Sequence, residues 1–137
     1  MRQSADSSRL RVLVVDDDVD GANSLCLLLE AMGCEAAACS DGPEGLGFAV
    51  RFAPQLAIID LDMPRMRGCE MVRHLRLQES PDLAMVVCLT GFPRPDVRQP
   101  GAGAGFDCHV MKPISSATLS DILERTRRLA SPSPSLS

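Results

Sequence analysis

The residues of this sequence that could do chemistry together share one position, because each ends or directly follows a short apolar run. They are the three acids Asp16–Asp18 after the first run, then Asp60, Thr90 and Lys112. Carboxylates that lie close together repel one another, and a cation relieves that repulsion. Oxygen ligands on short, rigid segments suit Mg²⁺, and an ammonium and a hydroxyl group opposite the metal can hold a phosphoryl group. These residue types therefore predict a magnesium-dependent phosphoryl site.

Lys112 carries a further signal, because it is the single lysine of a chain that has thirteen arginines. A compact ammonium at this one point indicates a site that a planar guanidinium would not fit. Each residue alone also has an ordinary explanation. An Asp after a strand often caps a helix, Thr is common in strands, and a lone Lys is usually a surface charge or, in an arginine-rich chain, chance. The combination favours the phosphoryl site.

The apolar runs alternate with helical patterns, which predicts parallel strands joined by helices. The predicted strands are Leu10–Val15, Glu35–Cys39, Gln55–Asp60, Leu83–Thr90 and Cys108–Lys112. Such alternation is typical of an α/β fold with a doubly wound five-stranded parallel sheet and helices on both faces. In sheets of this class, ligands lie beyond the carboxyl ends of the strands. The candidate chemical residues all fall at those ends.

Four stretches repeat apolar residues at helical spacing. Asp41-Gly42-Pro43 starts the second, with Pro43 at an early position, and Pro54 stops it. The third follows the loop Pro64–Gly68, and Ser116 is the predicted cap of the last. The residues predicted to face the core are Leu25, Leu28, Leu29 and Met32, then Leu46, Ala49, Val50 and Ala53, then Met71, Val72 and Leu75, and finally Leu119, Ile122, Leu123 and Thr126.

The length of 137 residues fits one domain, which we place at residues 10–130 between disordered tails at 1–9 and 131–137. The net charge of −4 provides no basic surface for nucleic acid or anionic lipid. The longest apolar run, Leu83–Leu89, is too short to span a membrane, and no signal peptide is recognisable. We therefore expect a soluble, cytoplasmic protein without direct nucleic-acid binding or membrane insertion. We expect its six cysteines to be reduced.

Four blocks resemble the successive signature blocks of the response-regulator receiver domain, a CheY-like superfamily. They are VLVVDDD (Val12–Asp18), IIDLDMPRMRG (Ile58–Gly68), LTG (Leu89–Gly91) and HVMKP (His109–Pro113). The phrase GFDCHVMKP is most similar to receivers of hybrid sensor kinases or to stand-alone receivers. The resemblance covers residues 10–130 and implies a flavodoxin-like strand order of 2-1-3-4-5.

The resemblance also implies a role for each matched residue of the phosphoryl site. Asp60 would be the phosphoacceptor, and it would hold Mg²⁺ together with Asp16 and Asp17. The backbone carbonyl of Asp62 would be a further metal ligand. Lys112 would pair with the phosphoryl group.

Around that site, the resemblance implies residues that respond to phosphorylation. Thr90 would hydrogen-bond the phosphoryl group and act as a switch together with His109, although a strand residue without a switching role explains His109 equally well. Gly91 would leave room for the phosphodonor. Asp62 and Phe92 would change how fast water reaches the phosphoryl group.

The implied function is that of a phosphoacceptor receiver domain in two-component signalling. A phosphoryl group would pass from the phosphohistidine of a histidine kinase or histidine phosphotransfer domain to Asp60. It would shift a conformational equilibrium that an unknown downstream protein detects. The domain would not be an enzyme, since it would catalyse only its own phosphorylation and dephosphorylation.

Two other functions remain open at this level. The sequence IIDLDMP also resembles the D-x-D motif of haloacid-dehalogenase-like phosphatases, but Pro64 stands where those enzymes have Thr or Val, and the chain leaves no room for a cap domain. A binding module that engages its partner whether or not Asp60 is phosphorylated is the third class.

The segment Pro93–Gly105, PRPDVRQPGAGAG, lies where the family places a helix between the fourth and fifth strands. One interior proline and two interior glycines would cost a regular helix about 5 kcal/mol relative to alanine. We therefore expect this fourth helix to be short or frayed, with about one turn near Asp96–Arg98 and a flexible link at Gly101–Gly105. Because that helix belongs to the family's usual output surface, we expect the output surface to be altered.

Overall fold

The computed structural model describes residues 9–63, 66–78, 80–91 and 105–130. Within those ranges the chain forms five strands and four helices. In chain order they are β1 (Leu10–Val15), α1 (Val19–Ala31), β2 (Cys34–Cys39), α2 (Gly42–Phe52), β3 (Leu56–Asp60), α3 (Gly68–Leu77), β4 (Met85–Thr90), β5 (Cys108–Met111) and α4 (Ser116–Ala130).

The strands form a single parallel sheet in the order β2-β1-β3-β4-β5, which confirms the predicted fold and strand order. Every neighbouring pair is parallel, so all five carboxyl ends lie at the same edge of the sheet. The strands begin or end within one or two residues of the predicted bounds. β5 ends at Met111, and Lys112 is therefore the first residue beyond it.

The two faces of the sheet carry separate apolar layers, because successive strand residues point to opposite sides. On one face Val12 and Val14 pack with residues of α1 and α4 such as Leu29 and Leu123. On the other face Leu13 packs with residues of α2 and α3. Burial on both faces explains why β1, apart from Arg11, and β3, apart from its last residue Asp60, are apolar rather than alternating.

The prediction for the inward face of α2 was wrong at Val50, whose side chain is 71% exposed. Ala49 is buried as predicted, and Gly45, which was not predicted, is buried with it. A Cβ at Gly45 would lie 2.9 Å from methyl groups of both Val15 and Met71. Gly45 therefore lies where α2 comes closest to the sheet, and the side of the helix that carries Val50 faces solvent.

The predicted cap of the last helix was also displaced by one residue. Ser116 is the first helical residue, and the hydroxyl oxygen of Ser115 accepts a hydrogen bond of 3.1 Å from the backbone N–H of Thr118. The Ser115 side chain therefore satisfies a donor in the first turn of α4. The α4 residues predicted to face the core are all buried: Leu119, Ile122, Leu123 and Thr126.

All six cysteines are free, and no disulfide joins any two of them. Cys26, Cys34, Cys39 and Cys88 are buried, whereas Cys69 and Cys108 are half-buried. Burial raises the pKa of the Cys26 and Cys39 thiols to about 11. These thiols therefore behave as small apolar side chains.

The segment predicted to hold a short or frayed helix falls mostly outside the described residues, as do most of both predicted tails. Arg9, the last residue of the predicted first tail, is described and donates a hydrogen bond of 2.9 Å to the carbonyl of Cys34. No helix in the described ranges is long and apolar enough to cross a bilayer.

Candidate functional site

The sheet brings the predicted chemical residues to one edge. Asp16 follows β1, Asp60 ends β3, Thr90 ends β4 and Lys112 follows β5. The register aligns these ends, since Asp60 lies beside Leu89 and Thr90 beside Met111. The parallel topology alone therefore gathers groups that are far apart in the chain.

Three carboxylates form the centre of this edge. Oxygen atoms of Asp16, Asp17 and Asp60 all lie within 4.8 Å of one another. Asp16 and Asp60 are buried, and Asp17 is exposed. Backbone donors hold the two buried carboxylates, because the N–H of Asp18 reaches Asp16 Oδ1 at 3.0 Å and the N–H of Asp62 reaches Asp60 Oδ1 at 3.2 Å.

Lys112 closes one side of the carboxylate cluster. Its Nζ lies 3.1 Å from Asp16 Oδ2 and 3.5 Å from Asp60 Oδ2. Its backbone N–H donates a hydrogen bond of 2.8 Å to the carbonyl of Thr90, which fixes the lysine relative to β4. Burial lowers the pKa of Lys112, but the hydrogen bond to Asp16 and the nearby charges of Asp60 and Asp16 outweigh it, so the pKa is raised. Lys112 is therefore cationic at neutral pH.

Asp60 is the residue whose ionisation the site opposes. Burial and the charge of Asp16 raise the pKa of Asp60 to about 6, although the charge of Lys112 and the hydrogen bond from the Asp62 N–H act in the opposite direction. The ammonium of Lys112 thus offsets only part of the repulsion among the carboxylates. The remaining negative charge is what a divalent cation would neutralise.

The donor set fits Mg²⁺ by its chemistry. It consists of carboxylate oxygens alone, and two of its three residues are buried on rigid strand ends. The structure brings together the three predicted side-chain ligands Asp16, Asp17 and Asp60. The metal-binding role of the Asp62 carbonyl stays a prediction.

Gly68 supports the site in a way that sequence reasoning missed. A Cβ on Gly68 would lie 2.7 Å from the backbone oxygen of Asp60 and 2.8 Å from Cα of Leu61. The N–H of Gly68 donates to the Leu61 carbonyl at 2.9 Å. The absence of a side chain at the start of α3 therefore lets this helix lie against the backbone of Asp60. The glycine that ends the block IIDLDMPRMRG was the available signal.

The remaining predicted site residues lie around the carboxylate cluster. Thr90 is buried, and Asp62 is exposed. Among the described residues, no atom lies within 4 Å of a Cβ built on Gly91. His109 is exposed on β5, with its ring 5.7 Å from that of Phe106 in an edge-on arrangement. Phe92 lies outside the described residues.

A groove opens beside the site between α1 and the residues that follow β5. It has a volume of 460 Å³, and both Asp16 and Lys112 reach it. Leu25, Leu28 and Ile114 contribute apolar walls. An apolar depression thus adjoins the charged cluster.

Comparison with known proteins identifies the family. A family model described as the response regulator receiver domain matches residues 12–124. The DNA-binding response regulator MtrA of Mycobacterium tuberculosis is 33% identical over 114 residues, which are 83% of this chain and 49% of MtrA. The sensor histidine kinase AtsR of Burkholderia thailandensis is 33% identical over 119 residues, which are 86% of this chain and 20% of AtsR.

The solved structures agree with this match. The chemotaxis protein CheY4 of Vibrio cholerae superposes with a TM-score of 0.79 at 30% identity, covering 86% of this chain and 98% of CheY4. The fold and the acidic edge define a signalling module of the CheY-like class. The chain belongs to the response regulator receiver domain family, and its function is that of a receiver domain in two-component signalling. This assignment does not support the phosphatase alternative.

Proposed function

We propose that Asp60 accepts a phosphoryl group from the phosphohistidine of a histidine kinase or histidine phosphotransfer domain. The observation that carries this proposal is the position of the Asp60 carboxylate. It is buried at a strand end, where it contacts Lys112 and lies with Asp16 and Asp17 in a set that fits Mg²⁺. A strand end gives the carboxylate a fixed orientation toward the donor.

In the proposed step, an Asp60 carboxylate oxygen forms a bond to phosphorus as the phosphorus–nitrogen bond of the donor histidine breaks. The imidazole leaves with the electron pair of the broken bond. The Asp62 N–H holds Oδ1 of Asp60, and Lys112 stabilises negative charge on the transferred group. Mg²⁺, when held by Asp16, Asp17 and Asp60, supplies further charge neutralisation. Water later hydrolyses the acyl phosphate, so the domain turns over only its own phosphoryl group.

The groove between α1 and the segment after β5 supports a docking position for the phosphodonor. It adjoins Asp16 and Lys112, and its walls are formed by Leu25, Leu28 and Ile114. A helix of a donor that buries an apolar residue there would bring its phosphohistidine to the edge of the sheet. Six free thiols support a reducing compartment, and we place the domain in the cytoplasm.

We further propose that phosphorylation shifts the position of Thr90 and His109 and that a downstream protein binds the shifted state. Thr90 and Lys112 are joined through a backbone hydrogen bond, so a group that engages Lys112 also acts on the end of β4. A partner that binds the Asp60→Asn variant as tightly as the phosphorylated wild type would instead identify a phosphorylation-independent binding module.

The test is phosphorylation with acetyl phosphate and Mg²⁺, followed by mass spectrometry of the intact protein. We expect the wild type to gain one phosphoryl group and Asp60→Asn to gain none. Asp121→Asn is the matched control, because its carboxylate is exposed on α4 and has no assigned role at the site. Labelling of Asp60→Asn at the wild-type level would contradict the proposal.

A further inference from the structure

The edge of the sheet formed by β2 has the properties of a strand that pairs with another strand. β2 pairs with β1 alone among the described strands. Its central residues Ala36, Ala37 and Ala38 are small and uncharged, and Glu35 is its one charged residue. Exposed edge strands usually carry several charges, a proline or a bulge that prevents pairing. β2 has little of this protection.

Helix α2 runs alongside this edge and presents three different groups along its length. Glu44 lies near the carboxyl end of β2, where its Oε1 accepts hydrogen bonds from the N–H and hydroxyl of Ser40. Phe48 follows one turn later, and Arg51 follows nearly one turn after that. These three residues and Ala37 line a groove of 510 Å³.

The aromatic side chain in the middle of this surface is held in place. Phe48 stacks on Phe52 with ring centroids 5.0 Å apart, and the guanidinium of Arg51 lies 5.4 Å from the centre of the Phe48 ring. An ordered aromatic residue costs little entropy when it is buried by a partner. The order of acid, aromatic and base is therefore a defined feature of the surface.

That order is self-complementary under a two-fold rotation. A two-fold axis perpendicular to the sheet at Ala37 would pair β2 with β2 of a second copy in antiparallel orientation and keep both α2 helices on the same face. The two helices would run antiparallel across the junction. Phe48 would meet Phe48 of the second copy, and Glu44 would lie beside Arg51 of the second copy on each side.

We propose that the β2 edge, with Glu44, Phe48 and Arg51 of α2, is an interface for a second copy of this chain. Pairing joins two five-stranded sheets into one continuous sheet. In that register Ala36 lies opposite Ala38 of the second copy, and the small side chains let the strands and flanking helices approach. The occupant is identified by charge, because a copy of this surface supplies a base where the first copy has an acid.

The first test is sedimentation equilibrium of the purified chain over a range of concentrations up to the millimolar level. We expect reversible association to a dimer. Ala38→Lys should weaken association at least about tenfold, because two like charges then lie near the axis. Ala117→Lys is the matched control, since Ala117 is exposed on α4 away from this edge, and it should associate like the wild type. A strictly monomeric wild type, or equal association of all three proteins, would overturn the proposal.

The second test reverses the charges. Glu44→Arg and Arg51→Glu should each weaken association, because each places like charges together across the axis. The double variant restores an acid opposite a base and should recover most of the lost affinity. The double variant lacks the Ser40 hydrogen bonds to Glu44 just as Glu44→Arg does. Recovered affinity therefore cannot be explained by restoring those bonds. Association of the double variant as weak as that of the single variants would show that these residues do not meet in a dimer.

Discussion

Asp60 and Lys112 set the electrostatic state of the site through a short contact. Nζ of Lys112 lies 3.5 Å from Asp60 Oδ2 and 3.1 Å from Asp16 Oδ2. The ammonium lowers the pKa of Asp60, whereas burial and Asp16 raise it further than the ammonium can offset. Lys112 therefore keeps Asp60 available as a carboxylate near neutral pH.

Replacement of Lys112 by Met should raise the pKa of Asp60 further above about 6. The physical reason is the loss of the positive charge that favours the ionised form. The measurement is a pH titration of the Asp60 carboxyl carbon by NMR in the absence of divalent cations. Arg128→Met is the control, because Arg128 lies in the last turn of α4, at the opposite end of the helix from the site. The same titration midpoint in both variants would contradict this account.

The cluster of site residues could be predicted from sequence because a parallel sheet gathers strand ends. Asp16, Asp60 and Lys112 needed only the order of the strands to be placed together. The backbone donors of Asp18 and Asp62 could not be predicted in this way, since they depend on the loop conformation after each strand. The roles of the predicted residues in phosphorylation stay predictions.

At the level of the elements, the start of α3 is fixed against β3 by the absence of a side chain. The backbone oxygen of Asp60 and Cα of Leu61 occupy the space that a Cβ of Gly68 would need. Both obstructing atoms belong to the backbone and cannot rotate away. The position of α3 and the position of the candidate phosphoacceptor are therefore coupled.

Gly68→Ala should lower the free energy of unfolding by about 1–3 kcal/mol, because α3 or the end of β3 must shift. It should also slow phosphorylation by acetyl phosphate. Urea unfolding followed by circular dichroism measures the first effect. Gly47→Ala is the matched control, because a Cβ there has no atom within 4 Å, and it should be neutral or stabilising by up to about 1 kcal/mol. Equal stability of the two variants would refute the coupling.

The elements themselves followed from apolar periodicity, but their exact contacts did not. Val50 was predicted to face the core because it is apolar, whereas Gly45 allows α2 to approach the sheet more closely on a neighbouring face. Periodicity measures side-chain polarity and carries no information on closeness of approach. The cap at Ser115 was missed because two adjacent serines offer the same hydroxyl, and only the backbone geometry distinguishes them.

At the level of the whole molecule, the raised pKa of Asp60 links folding to pH. An unfolded chain binds this proton with a pKa near 3.8, and the folded metal-free protein binds it with a pKa of about 6. The folded state therefore holds more protons between these values. The contribution of Asp60 to stability therefore falls as the pH rises through this window and then stays at the lower level.

Asp60→Asn removes this penalty, so the metal-free variant should be more stable than the wild type at pH 7, by up to about 3 kcal/mol. The advantage should shrink as the pH falls from about 6 to about 4. Urea unfolding with a chelator at several pH values measures it. Added Mg²⁺ should stabilise the wild type more than the variant. A stability difference that does not change with pH would contradict the assignment of the proton to Asp60.

The burial of the cysteines has a practical consequence for labelling. Alkylating reagents react with the thiolate form, and the raised pKa of Cys26 and Cys39 leaves little thiolate at neutral pH. Cys69, half-buried in the first turn of α3, directly follows the glycine that lies against Asp60. The chain has no Trp or Tyr. A fluorophore attached at Cys69 would therefore add a fluorescent reporter, close to the strand that carries Asp60, to a protein without Trp or Tyr fluorescence.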